Sequence, residues 1–292
     1  MKLIRNLLKS PMFVIGMSLF IGTLLVAIIG PLVYHINLDR VSDQYAMPGA
    51  IGSWVDGTTK LMTHPYLLLG ADNMGRDYIS LLIMGLRSSL YVGLLAGVIA
   101  TTLGTLIGIY GGFKGGWIDD LLNSVTNLFI VIPSFVVLIL ISASFKDGRS
   151  LTLIGLIIGM TTWTWSARAV RAQSAALKSR DHISLARING DGTLVILFKH
   201  ILPYLLSYVF MVFILQIASG ILSEAAISMI GLGPVDTQSL GVILNDAKSN
   251  GALGDGVWWA FIPSTVMITL IVFALYLINT SMEGVFNPRL RK

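Results

Sequence analysis

The chain has 292 residues, 54% hydrophobic and 12% charged, with mean hydropathy +0.79 and a net charge of +5. Soluble domains are usually about 45–50% apolar and about 25% charged. Too little polar surface is left to cover a water-soluble body, so the bilayer is the solvent. The absence of cysteine excludes disulfides, thiolate metal sites and thiol nucleophiles.

The first apolar run, 12–34, is longer than a signal-peptide core of about 7–15 residues. It has no small-residue cleavage site before Pro31, so it reads as a retained first helix. A spanning helix needs about 20 mostly apolar residues, and six stretches qualify: 12–34, 88–112, 121–145, 151–172, 203–223 and 258–281. Segment 1–34 is therefore expected to be an N-terminal segment with the first span, 35–80 an extracytoplasmic loop, and 81–292 the membrane core. With the N-terminus in the cytoplasm, thirteen of the twenty Lys and Arg lie on the inner side and ten of the fifteen acids on the outer. That asymmetry follows the positive-inside rule and places both termini in the cytoplasm. The basic balance is thus a topology signal, which removes the main support for nucleic-acid binding.

In the second span Gly93, Gly97, Thr101, Gly104, Gly108 and Gly112 recur at steps of three and four. Such spacing puts small residues on one helix face, where another helix packs closely. Gly155 and Gly159 repeat the pattern in the fourth span. The expected architecture is helix on helix, all-α, with no sheet.

No Gly-Lys dipeptide occurs, so no G-x-x-x-x-G-K-[ST] phosphate cradle is possible. Gly111-Gly112-Phe113-Lys114-Gly115-Gly116 joins two spans and reads as a turn. His35, His64, His182 and His200 make no ligand spacing, and the two glutamates, Glu224 and Glu283, offer no paired carboxylates. No metal site and no enzyme activity are expected.

The informative segment lies between the fourth and fifth spans. Asp181 is a candidate N-cap, Gly190 a stop that Gly192 extends, and Pro203 suits the first turn of the next span. The spacing predicts a short helix over 182–189 on the basic side of the membrane. A chain without an engine of its own must receive work from a partner, and this helix is the candidate for receiving it. The alternative is an interfacial helix resting on lipid headgroups.

This segment resembles the EAA loop of ABC-importer permeases, with Ser184-Leu185-Ala186 at E-A-A, Gly190 as the loop glycine and His200-Ile201-Leu202-Pro203 closing the motif. Ser184 stands where Glu is usual, and Leu185 where the first Ala is. Further stretches resemble the C-type permease of oligopeptide, dipeptide and nickel importers. They are His64-Pro65 followed by Leu69-Gly70-Ala71-Asp72-Asn73-Met74-Gly75-Arg76-Asp77, then Tyr110-Gly111-Gly112, Arg168-Ala169-Val170-Arg171, Gly231-Leu232-Gly233 and Asn287-Pro288-Arg289-Leu290-Arg291.

The resemblance implies a type I ABC importer transmembrane domain in the cytoplasmic membrane, with a coupling loop at 173–203. It also implies four kinds of partner: a second homologous permease, two cytoplasmic ATPase subunits, an extracytoplasmic substrate-binding protein and membrane lipid. ATP and Mg would be bound by the ATPases, with no cofactor on this chain. Ser184, Leu185, Ala186, Arg187 and Gly190 are the expected docking residues. Gly75, Arg76 and Asp77 either shape an outer gate or binding-protein contact, or form a cap and ion pair that starts a short helix. Glu224 either faces the substrate pathway, attracting a peptide's amino group, or is a hydrated helix terminus. Peptides are the expected cargo, nickel or a metal chelate the alternative. An ion-driven carrier is less favoured, because the span centres lack charges for ion coupling.

Overall fold

The computed structural model describes residues 7–51, 66–145 and 148–286. His64-Pro65 and the tail Asn287–Arg291 lie outside the described residues. Among the described residues nine helices carry the architecture: α1 (Pro11–Val33), α2 (Tyr78–Lys114), α3 (Gly116–Val131), α4 (Ser134–Ser144), α5 (Leu151–Leu177), α6 (Asp181–Ile188), α7 (Thr193–Met229), α8 (Leu240–Ser249) and α9 (Ile262–Phe286). Among the described residues β structure is confined to a two-residue antiparallel ladder pairing β1 (Ala50–Ile51) with β2 (Tyr66–Leu67) and an isolated bridge between Ala71 and Asp77.

Among the described residues four helices are long and apolar enough to cross a bilayer, and α3 with α4 makes a fifth span if that bent pair counts as one. The expected continuous span over 121–145 is thus two helices meeting at 73°. Pro133 is the cause. The residue before a proline is driven out of the α region, and Ile132 sits at φ −82°, ψ 120°, ending α3 one turn before α4 begins. The fourth expected span, 151–172, is the helix α5. Thr161, Thr162, Thr164, Ser166 and Arg168 lower its hydropathy, so it is not among the helices that qualify by length and apolarity.

Contacts nevertheless put α5 between the same two ends as its neighbours. At one end Val235 N–H donates to Arg149 C=O at 3.0 Å, and Tyr78 Oη lies 2.7 Å from the Ala260 carbonyl. At the other, Lys178 Nζ donates to Lys114 C=O at 3.0 Å.

Two spans start earlier than hydropathy suggests. α2 begins at Tyr78, ten residues before the expected 88, because Asp77 caps it: its carboxylate accepts from Ser80 N–H at 2.9 Å. Its 37 residues reach about 55 Å at 1.5 Å per residue. α7 begins at Thr193 and passes through a π-helical turn, Ile196–Ile201, where Leu202 N–H reaches back five residues to Leu197 C=O. Pro203 follows within the first α-helical turn after it.

The glycine stripe of α2 serves two partners. A Cβ at Gly97 would meet Ile217 of α7, and one at Gly93 would meet Ile217 and Ile221. From Gly104 onward the stripe turns to α5: Gly108 faces the backbone of Ala167 and Arg171, and Gly112 faces Arg171 and Ser174. Gly155 and Gly159 of α5 return the contact onto Leu95 and Ile99.

Of five buried clusters among the described residues, three join more than two helices. The largest joins α1, the start of α2, α7, α8 and α9 through residues such as Leu86, Ile221, Leu240, Ile271 and Leu275. A second joins α2, α4, α5 and the end of α7 through Val92, Leu138, Ile158 and Ile227. The third seats α6.

Candidate functional site

α6 is anchored on one face and open on the other. Ile183 and Ala186, three residues apart and fully or nearly buried, pack with Ile109 and Phe113 of α2, Val170 of α5, and Ile196, Leu197, Ile201 and Leu205 of α7. Ala186, expected to touch a partner, faces this seat instead, because a three-residue step keeps it on the Ile183 side.

Ser184, Leu185, Arg187 and Ile188 are exposed, Leu185 at 59% and Ile188 at 81%. Ile188 was not among the expected docking residues. Its signal was the same three-residue step from Leu185.

The ends of α6 fix its orientation. The N-cap is Arg180, with no side-chain cap bond, and Asp181 lies in the first turn, where a carboxylate favours the helix dipole. This corrects the expected Asp181 cap. At the other end Asp191 N–H donates to Ala186 C=O (3.1 Å) and Gly190 N–H to Arg187 C=O (3.0 Å). This is the Schellman stop, and it needs Gly190 at φ +83°, a conformation that L side chains resist.

Three side-chain contacts tie the segment down. The Arg187 guanidinium lies 5.1 Å over the Phe113 ring, His182 stacks on Tyr204 at 4.6 Å, and His200 Nε2 is 2.9 Å from Asp191 Oδ2.

At the opposite end Gly75, Arg76 and Asp77 do come together, as a cap and an ion pair. Asp72 Oδ1 accepts from the backbone N–H of Met74 (2.9 Å) and Arg76 (2.8 Å), and its Oδ2 meets Arg76 Nη2 at 2.6 Å. Arg76 also reaches Asp246 of α8 at 3.6 Å, so the loop before α2 is strapped to the helix after α7. Burial pushes the Asp246 carboxyl above the ordinary carboxylate range, Arg76 opposes this and Asp72 adds to it. Gly75 at φ +73° sits where a Cβ would strike the Ser42 carbonyl. Asp77 starts a 37-residue helix, not the short one expected.

Glu224 is fully buried, which overturns both expectations for it. Its Oε2 accepts from Ser89 Oγ (2.8 Å), and its Oε1 accepts from Ser228 Oγ (2.7 Å) and Ser239 Oγ (2.5 Å). Ser89 accepts Leu240 N–H at 3.2 Å and Ser239 caps α8 by accepting Val242 N–H at 3.1 Å. One carboxyl thereby holds α2, α7 and α8 together.

No motif in the sequence marks a recess of about 650 Å³ among the helices α3, α4, α5, α7 and α9. Phe129, Ile130 and Ile132 form one wall beside the break at Pro133, and Trp165 and Tyr276 contribute aromatic surface. Ser134, Thr161, Thr162, Thr164, Gln216, Ser219 and Arg168 supply polar groups. Gln216 Nε2 donates to the Thr162 carbonyl at 3.0 Å and bonds Ser166 Oγ. A second recess of about 810 Å³ between α1, α2, α7 and α9 is walled instead by residues such as Leu7, Phe13, Phe20, Leu94, Phe210 and Met282.

A broken span, a seated amphipathic helix and a capped opposite end form one frame, and the family profile described as binding-protein-dependent transport system inner membrane component matches residues 100–292. The chain belongs to that family. Similar proteins include the oligopeptide transport system permease protein OppC of Lactococcus lactis subsp. cremoris, 30% identical over 86% of this chain and 80% of its own. A putative peptide transport system permease protein of Brucella suis is 29% identical over 98% of this chain and 91% of its own. The dipeptide transport system permease protein DppC of Bacillus subtilis is 26% identical over 99% and 85%. The matched segment of this inner membrane component holds α6, its seat, Glu224 and most of the polar recess. The capped end at Asp72–Asp77 precedes it.

Proposed function

We propose that this chain is one permease subunit of an ATP-driven importer that passes oligopeptides or dipeptides across the cytoplasmic membrane. The observation that carries the reading is α6, a helix anchored through Ile183 and Ala186 that turns Leu185 and Ile188 outward. Two unburied apolar side chains on a rigid seat suit the groove of a soluble partner. The peptide assignment draws on the relatives, whose names specify peptides, and none of the three names nickel.

The complex would hold a second permease, two ATPases on the α6 side and a binding protein on the other. ATP and Mg would sit on the ATPases, with no cofactor here. The cation asymmetry puts α6 and both termini in the cytoplasm. Closure of the ATPases would swing α6 with the ends of α2, α5 and α7 that it rests on. This is rigid-body switching between two packed states, driven by ATP's preference for one of them.

Ser184 cannot make the ion pair that a glutamate would, so docking rests on Leu185, Ile188 and Arg187. Ala186 and Gly190 act as seat and stop, while Gly75, Arg76 and Asp77 fix the outer loop.

The test is a Leu185→Glu/Ile188→Glu double variant beside Gly190→Pro, with peptide uptake and ATPase co-purification as readouts. The first should lose the ATPase and the second should lose uptake, both at unchanged amounts in the membrane. Wild-type uptake by both variants would refute α6 as the coupling element.

A further inference from the structure

We infer that the polar recess is this subunit's share of the substrate path, and that Arg168 within it takes the C-terminal carboxylate of the passing peptide. The inference rests on the permease reading and adds to it the group that the path recognises.

Polar groups facing lipid are costly, so those at membrane depth face protein or a pathway. Around the recess the outward surface obeys that rule, with Leu128, Val131, Leu140, Leu156 and Met160 all exposed and apolar. Inside it the apolar wall of Phe129, Ile130 and Ile132 faces polar groups of Ser134, Thr161, Thr162, Arg168, Gln216 and Ser219. The apolar recess on the other side of α7 is of similar size, so a gap between helices does not by itself bring polar side chains. The 73° break between α3 and α4 lies on the same wall. Irregular backbone at membrane depth is tolerated where it lines a cavity, and broken helices of this kind mark transport sites.

The chemistry of the lining is specific. Thr161 and Thr162 hydroxyls donate to the carbonyls of Ile157 and Ile158 of their own helix at 2.9 Å. Their donors are spent, so they offer lone pairs to a substrate's N–H groups. Arg168 is the opposite case. Its Nη2 donates to Asn127 Oδ1 at 2.8 Å, a neutral partner, and among the described residues it forms no ion pair. Arg171, one turn away, is fully engaged with Asp119 through bonds of 2.6 and 2.8 Å. A guanidinium with free donors in a polar recess matches a carboxylate in both charge and fork geometry. Acceptors for N–H along one wall and a cation at its end are the complement of a peptide.

The experiment uses the whole transporter in proteoliposomes. The chain has no cysteine, so Thr162→Cys is a single reporter on it, and Ser219→Cys a second should the first assemble poorly. Reaction with an anionic and a cationic methanethiosulfonate reagent is followed on this chain. The anionic-to-cationic rate ratio should fall about tenfold when Arg168→Gln is added, and Arg168→Lys should keep it. A peptide with a free C-terminus should protect the cysteine, its C-terminal amide should protect less, and Arg168→Gln should erase the difference.

An unchanged ratio in Arg168→Gln, equal protection by acid and amide, or no reaction with charged reagents in any nucleotide state would each overturn the proposal. So would a rate that responds to removal of anionic lipid and not to peptide, which would give Arg168 to a headgroup. Absence of any peptide uptake by the wild-type complex would instead remove the permease reading.

Discussion

Alanine at Gly108 adds one carbon inside the close α2–α5 contact. That Cβ would lie 2.6 Å from Ala167 O, 2.9 Å from Arg171 N and 3.1 Å from Val170 Cβ. The first two are backbone atoms, which cannot rotate away. Ordinary contact begins near 3.4 Å, so the helices must part by roughly 0.8 Å, the difference between 3.4 and 2.6 Å. A gap of about 0.5–1 Å forfeits a quarter to a half of each dispersion contact, and overpacking costs typically about 1–3 kcal/mol. Helix propensity pulls the other way, since Ala is better than Gly by about 1 kcal/mol. Backbone contacts this short fall in the upper part of that range, about 2–3 kcal/mol, so sterics win and Gly108→Ala should destabilise by about 1–2 kcal/mol.

Gly22 of α1 is the control, because a Cβ there meets nothing within 4 Å. Gly22→Ala keeps only the propensity gain and should be neutral or stabilising by up to about 1 kcal/mol. Thermal unfolding of the purified transporter in one detergent reads both. Gly108→Ala should melt below wild type and Gly22→Ala at or above it. A Gly108→Ala transporter that melts with or above wild type would refute close backbone approach as the purpose of the stripe.

Glu224→Ala should cost about 2–5 kcal/mol, because three buried hydroxyls lose their acceptor. Glu224→Gln, which still accepts from two of them, should recover at least half, with melting as the readout and equal loss in both variants as the contrary result. Asp77→Ala removes the α2 cap and should cost about 1–2 kcal/mol, visible as faster proteolysis of the loop before Tyr78, and Asp77→Asn should lose less. Asp246 gives a pH signature. A carboxyl raised by burial binds its proton more tightly folded than unfolded, so its contribution is present at low pH and lost as pH rises through the folded value. Melting of wild type should therefore fall with pH above the ordinary carboxylate range more than that of Asp246→Asn, and parallel profiles would contradict the assignment.

Local chemistry was legible where a single residue decides the outcome. Gly190 stops α6 because of its own backbone conformation, and the small-residue steps of α2 announce close packing whatever the partner. Pro133 was equally informative, since Ile132 before it could not stay helical, yet hydropathy alone reads straight through the break. Glu224 could not be read. An acid at the edge of an apolar run suggests a wet helix end, and two of its hydroxyl partners, Ser89 and Ser239, come from distant or separately folded segments. The recess was hidden for the same reason, its polar groups being spread over α4, α5 and α7, segments far apart in the chain. For Ala186 the family pattern drew the eye to a contiguous triplet. The helical period divides that triplet between seat and surface.

The π turn at Ile196–Ile201 has a consequence for how the chain tolerates change in length. Each bond there spans five residues where an α-helix would use four, so the turn stores one residue beyond what a regular helix needs. A relative shorter by one residue in this stretch could close the turn into plain α-helix and keep Gln216 and Glu224 facing their partners. The gap in such an alignment belongs inside 196–201, between the seat of α6 and the membrane part of α7.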